Sequence, residues 1–268
     1  NKDKFLYFFT SCYPYGFGET FIENEIEYLS NVFYKVYIIS NDLESNKFRD
    51  IPSNVKVIRL RYDVNLIEKI SSIYYIFTFH FWRELKCIKI KYKKKLSFGI
   101  IKTALLSLCN ANRLAKKYRD LNIINSKSFY YSYWSNDCAL ALAILKHENV
   151  DLKCFSRIHG WDVFFSPSKY NYLPFRNFIA SNLNAIFSIS EKGIDYCLNN
   201  WRINDKSVMN LSRLGVKDGF FSKEDSSSFL LVSCSNLTPL KRIDLLVNSL
   251  SLIRFKLKWV HFGDGEMM

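Results

Sequence analysis

Glycine and proline are scarce in this sequence of 268 residues, with nine and five copies. That scarcity excludes a collagen-like or low-complexity polypeptide, and a hydrophobic share of 49% is too high for a disordered chain. No run reaches the roughly 18 apolar residues that a membrane-spanning helix needs. The first residues contain no apolar stretch, so we expect no signal peptide. At about 150 residues per domain, the length is comfortable for two globular domains.

Closely spaced metal ligands are also missing. The seven cysteines are scattered, with no CxxC pair, and the four histidines do not cluster. This pattern excludes a disulfide scaffold and a structural zinc site, and it predicts reduced thiols in a cytoplasmic protein. We expect no metal and no cofactor.

Acidic residues are few relative to basic ones, at 25 against 38, which gives a net charge of +13. Such a charge attracts phosphates, polyanions or an anionic membrane. Residues 83–95 (RELKCIKIKYKKK) hold seven cations and one acid, and they follow the aromatic stretch 74–82. A basic segment beside aromatics favours an anionic membrane surface, although a solvated helix face is an equally open interpretation.

Short β-branched and aromatic runs alternate with helical patterns, which predicts an α/β fold with parallel sheets. Residues 1–216 contain seven predicted strands and form the first predicted domain. The first helix is expected from about Glu19, and a long helical region from 66 to 119. Residues 217–228 are polar and unpatterned and are predicted to be a linker. Residues 229–268 hold only two strands and one helix, too few to cover a parallel sheet, so this second domain is expected to be incomplete.

Three strand-to-helix loops carry candidate site residues. Gly16 and Gly18 lie in the first loop, where glycines and a helix N-terminus favour a phosphate, although a tight turn explains them as well and the GxGxxG pattern is absent. His159 and Asp162 follow a later strand, where ligands of α/β sheets bind; a structural histidine is the alternative. Lys241 and Arg242 are expected at the N-terminus of the last helix, where an anion would relieve the unfavourable placement of two cations.

Taken together, the segments resemble the GT-B glycosyltransferases, and specifically the large retaining group called family 4. The resembling pieces, in the order of that family, are FTSCYPYGFGETFIENEIEYL, YSYW at 131–134, SRIHGWD at 156–162, IFSISEKG at 186–193, SRLGV at 212–216, SCSNLTPLKRIDLLVNSL and HFGDGEMM. The resemblance implies two Rossmann-like domains, the second truncated here. It covers essentially the whole chain.

The resemblance also implies site roles. Gly16 and Gly18 would face the donor diphosphate, and His159 would lie near the transferred sugar. Asp162 would support the His159 loop. Lys241, with Arg242, would neutralise the leaving diphosphate, while Gly263 and Gly265 would lie close to the nucleotide. The sequence departs from the family at Asn236, where an arginine is common. It also lacks the acidic pair, which would fall after residue 268.

The expected activity is retaining, metal-independent hexosyl transfer from a UDP- or GDP-linked sugar to a glycan or lipid-linked acceptor. The expected setting is cell-envelope polysaccharide synthesis in the cytoplasm, peripheral to the inner face of the membrane. Because the second domain is expected to be incomplete, this chain alone should transfer sugar poorly. The alternatives are a basic nucleic-acid-binding or other non-catalytic Rossmann-like binding protein, and a nicotinamide-dependent enzyme. Dispersed cations and the absence of an aromatic RNA-binding motif argue against nucleic acid.

Overall fold

The structure is a computed structural model. It describes residues 4–41, 44–45, 48–61, 70, 72–216, 219 and 229–267. The chain divides into two compact units, Asn1–Lys217 and Asp218–Met268. The predicted linker, apart from residue 219, lies outside the described residues, and the domain boundaries stay a prediction.

The first unit is built on a parallel sheet of seven strands in the order β3-β2-β1-β4-β5-β6-β7. The strands are β1 Phe5–Thr10, β2 Lys35–Ser40, β3 Val55–Arg59, β4 Phe129–Ser132, β5 Lys153–Ile158, β6 Ala185–Ser188 and β7 Met209–Leu211. The seven strands predicted from β-branched and aromatic runs are therefore all present, and the α/β class is confirmed.

Helices pack on both faces of this sheet. They are α1 Ile22–Val32, α2 Phe79–Lys86, α3 Phe98–Asp120, α4 Asp137–Glu148, α5 Gly160–Val163, α6 Arg176–Asn182 and α7 Glu191–Asn200. The α4 helix is apolar on all sides and buried from Cys138 to Leu145, as expected for a helix inside a core. The α1 helix is amphipathic and buries Ile22 and Ile26 against the other face.

The long helical region predicted over 66–119 is interrupted. Its described part contains a 3₁₀ turn at Ser72–Phe77, then α2, which continues as a π turn through Cys87–Lys91, and then a non-helical break before α3. Ser97 begins α3 by accepting the Ile100 N–H. The cluster of lysines at 93–95 lies in this break. The start of the predicted helical region, at 66–69, and residue 71 lie outside the described residues.

The second unit contains a two-stranded parallel sheet and one helix. Its elements are β8 Phe229–Cys234, α8 Ile243–Leu250 and β9 Leu257–Phe262. The loops after β8 and β9 approach closely: a Cβ on Gly263, whose φ is +152°, would lie 1.8 Å from the Ser235 carbonyl oxygen. A Cβ on Gly265 would lie 2.4 Å from the carbonyl oxygen of Leu237. Both glycines are therefore required for the contact between these loops.

None of the helices in the described part of the chain has the length and apolar character needed to cross a membrane.

Candidate active site at the carboxyl edge of the sheet

The candidate site lies where the loops after β1, β4 and β5 leave the large sheet. These strands are parallel and adjacent, so their carboxyl ends meet at one edge. The chain order reverses between β1 and β4. Ligands of open α/β sheets bind outside the carboxyl ends of strands at such a switch point.

The loop after β1 is closed by the carboxylate of Glu19. One of its oxygens accepts the backbone N–H of Ser11 at 2.8 Å, and the other accepts those of Cys12 and Tyr13, each at 2.7 Å. Glu19 has a φ of 56°, which is left-handed, and α1 begins only at Ile22. The predicted start of the helix at about Glu19 is therefore wrong, because this residue turns back to cap the loop.

The two glycines of this loop determine its shape. Gly16 has a φ of 65°, and its carbonyl accepts a hydrogen bond from Arg49 Nη2 at 3.0 Å. A Cβ on Gly18 would lie 2.8 Å from Cys12 Sγ. Burial, reinforced by Glu19, raises the pKa of the Cys12 thiol to about 12, so the thiol stays neutral. The contact of both glycines with a donor diphosphate stays a prediction.

His159 directly follows β5 and is only 6% exposed. The centre of its ring lies 4.8 Å from that of Tyr133 and 4.4 Å from that of Trp134. Neither ring nitrogen has a hydrogen-bond partner among the described residues. Burial lowers the pKa of His159 to about 4, with a further contribution from the positive charge of Arg157. At neutral pH this side chain is an uncharged imidazole with unused hydrogen-bonding capacity.

Asp162 ties the loop after β5 to the loop after β4. Its Oδ1 accepts the backbone N–H of His159 at 2.5 Å, and its Oδ2 accepts that of Ser135 at 2.7 Å. Burial raises the pKa of this carboxyl to about 6, although Arg176 opposes the shift. The carboxyl therefore carries its charge at neutral pH and orients the backbone on which His159 is mounted.

Sequence reasoning missed three residues that build this edge. Glu19 was assigned to a helix, and Trp134, although part of the YSYW segment, received no role. The Trp134 indole N–H donates to Glu19 Oε1 at 2.6 Å. Arg176 is buried in α6, and its Nε donates to the Asp162 carbonyl oxygen at 3.1 Å. No local pattern marks Arg176, since its partner lies 14 positions earlier on a different element.

The candidate residues of the second unit lie on the turn before α8. Lys241 ends a 3₁₀ turn and is exposed, and its side chain has no hydrogen bond or ion pair with any residue that the structure describes. Arg242 precedes the helix with a φ of 53° and pairs with Asp244 at 3.5 Å. The ammonium group of Lys241 is thus open to an anion, whereas Arg242 already has a carboxylate partner.

Metal-ligating side chains do not gather in groups of three or more His, Cys, Asp or Glu within the described ranges. The independence from metal and cofactor expected from the sequence stays a prediction. Among the candidate residues, Lys241 and Arg242 are the two whose positive charges could attract a phosphate.

Three solved structures resemble the whole chain. They are the lipopolysaccharide outer core galactosyltransferase WaaB (11% identity, TM-score 0.54), a glycosyltransferase from Rickettsia africae (15%, 0.58) and HepE from Anabaena in complex with UDP (11%, 0.56). In each comparison 98% of this chain is covered. No protein-family model matches the sequence, and no match is found among curated proteins.

These likenesses establish the fold. The chain has the α/β architecture of the GT-B glycosyltransferases, which confirms the fold expected from the sequence motifs. It spans 61% of the length of each of the three chains.

Proposed function

We propose that this protein is a retaining glycosyltransferase of the family 4 type. It moves a hexose from a UDP- or GDP-linked donor to a glycan or lipid-linked acceptor in cell-envelope polysaccharide synthesis. The observation that carries the proposal is His159, a buried neutral imidazole at the carboxyl edge of a GT-B sheet, whose nitrogens have no hydrogen-bond partner in the described part of the chain. Buried polar atoms without partners are rare in proteins, and a ligand is one explanation for them.

In this proposal His159 contacts the transferred sugar. A neutral imidazole has one donor and one acceptor nitrogen, which matches a sugar hydroxyl, whereas an imidazolium has two donors. A neutral ring also avoids adding positive charge beside a sugar that itself becomes positive in the transition state. The lowered pKa of His159 keeps this form at physiological pH.

Lys241, assisted by Arg242, stabilises the departing diphosphate. As the bond between sugar and phosphate breaks, negative charge grows on the phosphate oxygens, and a fixed cation stabilises that charge without a metal. Retention follows if the acceptor attacks from the face of the leaving group, with a phosphate oxygen taking the acceptor proton. The loop of Gly16 and Gly18 faces the diphosphate, and the loop of Gly263 and Gly265 lies near the nucleotide.

Nucleotide binding tests this proposal. Calorimetric titration of UDP, GDP, NAD and a single-stranded oligonucleotide into the protein should show binding of UDP or GDP and no binding of NAD or the oligonucleotide. Lys241→Ala should weaken that binding about 10- to 150-fold, since a hydrogen bond to a charged group contributes about 1.5–3 kcal/mol. Lys256→Ala, an exposed lysine of the same unit, is the matched control and should bind like the wild type.

Two outcomes would contradict the proposal. Salt-sensitive binding of the oligonucleotide without nucleotide binding would indicate the nucleic-acid-binding alternative. Binding of NAD in preference to UDP and GDP would indicate a nicotinamide-dependent enzyme.

We also propose that the protein works in the cytoplasm, attached to the inner face of the membrane through a basic-aromatic surface. This surface comprises the outward side of α2 and of the segment that follows it, with exposed side chains at Phe79, Trp82, Lys86, Lys89, Lys93 and Lys95. Phe79 is 70% and Trp82 59% exposed. The opposite side of the helix is buried.

The acidic side chain of this segment is buried and does not lie on the surface. Glu84, the one acid among residues 83–95, is buried and accepts hydrogen bonds from the Tyr172 hydroxyl at 2.7 Å and the Phe175 N–H at 2.9 Å. The exposed side therefore presents cations and aromatic rings, the combination that favours an anionic lipid interface. Lys94 is different, because its Nζ lies 5.3 Å from the centre of the Phe165 ring.

Liposome co-sedimentation tests the attachment. On vesicles of phosphatidylcholine with phosphatidylserine, Lys93→Gln with Lys95→Gln should lower binding about 30-fold, because each lysine near such a surface contributes about 1 kcal/mol. Lys127→Gln with Lys206→Gln changes the net charge equally at exposed positions elsewhere and should leave binding nearly unchanged. If the two double substitutions lower liposome binding equally, the attraction depends on net charge alone, and this surface is not the site of attachment.

A further inference from the structure

Four N–H groups converge on the side chain of Glu19. Three are the consecutive backbone donors of Ser11, Cys12 and Tyr13, and the fourth is the indole N–H of Trp134, with distances from 2.6 to 2.8 Å. The N–H groups that follow β1, which could hold an external anion, are thus occupied by a carboxylate of the chain itself.

Only a carboxylate matches these donors. Its two oxygens are both acceptors, and each receives two N–H groups here. The amide of a glutamine has one oxygen and one NH₂ group. In Glu19→Gln, whichever way the amide is turned, its NH₂ group would replace one carboxylate oxygen and would face N–H groups that are also donors.

Trp134 connects this carboxylate to the candidate catalytic histidine. Its indole is held by Glu19 Oε1, and its ring centre lies 4.4 Å from that of His159. Tyr133 packs on His159 at 4.8 Å and on Trp134 at 5.7 Å. The imidazole is thus covered by two aromatic rings, and the position of one of them depends on Glu19.

We infer that Glu19 is a positioning residue for His159: it locks the loop after β1 onto Trp134 and so keeps the imidazole covered and oriented toward the reacting sugar. The reaction itself rests on the proposed function, whereas the positioning does not. Glu19 lies 115 positions before Trp134, so the link joins two loops that only the fold brings together.

Nuclear magnetic resonance of the wild type and Glu19→Gln tests the positioning without any substrate. The exchange of the Trp134 indole proton with solvent should become at least about 10-fold faster in Glu19→Gln, since a bond to a charged group is worth about 1.5–3 kcal/mol. The His159 ring should also become more accessible to water, and this hydration raises its pKa from about 4 toward the ordinary value of 6.5. Arg157 still faces the ring, and its positive charge opposes this rise. The substitution also removes the negative charge of Glu19, and that loss opposes the rise as well.

Two variants separate this role from general stability. Glu148→Gln removes an exposed carboxylate that pairs with Arg119 and should change neither signal. Trp134→Phe deletes the indole donor but keeps an aromatic ring, so the pKa of His159 should move less than in Glu19→Gln. If His159 titrates in Glu19→Gln as it does in the wild type, the inference is wrong.

The same variant also separates this inference from the proposed function. If Glu19→Gln changes both signals in a protein that shows no sugar transfer, the positioning stands and the proposed function fails. In an active protein, Glu19→Gln should lower kcat by a larger factor than it weakens nucleotide affinity, which also changes because Glu19 holds the loop of Gly16 and Gly18. A loss confined to nucleotide affinity would overturn the positioning role.

Discussion

Under the proposed function, replacing His159 with alanine should lower the rate of sugar transfer about 100- to 1,000-fold with little change in Tm. The loss of turnover is that expected when one preorganised hydrogen-bonding group is removed from a reacting centre. The stability should change little because two effects oppose each other. Deleting the ring leaves a cavity beside Tyr133 and Trp134, which destabilises the fold. It also removes two buried nitrogens without partners, each of which costs about 1–3 kcal/mol.

The measurement is kcat for sugar transfer together with the thermal melting curve. His147→Ala is the matched control, because His147 is exposed, lies at the end of α4 and hydrogen-bonds Asn182. It should keep full turnover. If the activity lost in His159→Ala parallels the fraction of protein unfolded at the assay temperature, His159 is a structural residue and the proposed role is wrong.

The second large effect is a pair of opposite pH dependences in stability. The pKa of His159 is lowered from 6.5 to about 4, so between these values the unfolded chain binds a proton that the folded chain does not. Its contribution to the free energy of unfolding therefore rises with pH, by about 3 kcal/mol over the window. The pKa of Asp162 is raised from 3.8 to about 6. There the folded chain holds the extra proton, so the contribution falls by about 3 kcal/mol as pH rises through that window.

These two contributions nearly cancel in the wild type between pH 4 and 6. Replacing one of the two titrating groups should therefore make the pH dependence due to the other one visible. Relative to the wild type, the stability of His159→Gln should fall as pH rises from 4 to 6, and that of Asp162→Asn should rise. Urea unfolding at several pH values measures both differences, and the remaining carboxylates cancel in the comparison. Parallel curves for the wild type and both variants would show that neither group has a shifted pKa.

Strand positions could be predicted closely from the sequence. The sequence predicts strands at 36–39 and 185–189, and the observed Lys35–Ser40 and Ala185–Ser188 differ from them by no more than one residue at either end. The reason is that strands buried on both faces need continuous β-branched and aromatic runs, which end at polar loops. The helices around 66–119 were harder to predict, since a periodic pattern does not reveal an interruption by a π turn or by the non-helical residues before Ser97.

The sequence by itself determined the parallel α/β fold and the placement of His159 at the end of a strand, because both follow from local patterns of a few residues. Tertiary structure alone decided how that histidine is held. The contact of Glu19 with Trp134 spans 115 positions and that of Arg176 with Asp162 joins two helices. The burial of Glu84 depends on Tyr172, 88 positions away. Such contacts arise only when the fold brings distant segments together, so no spacing within the sequence encodes them.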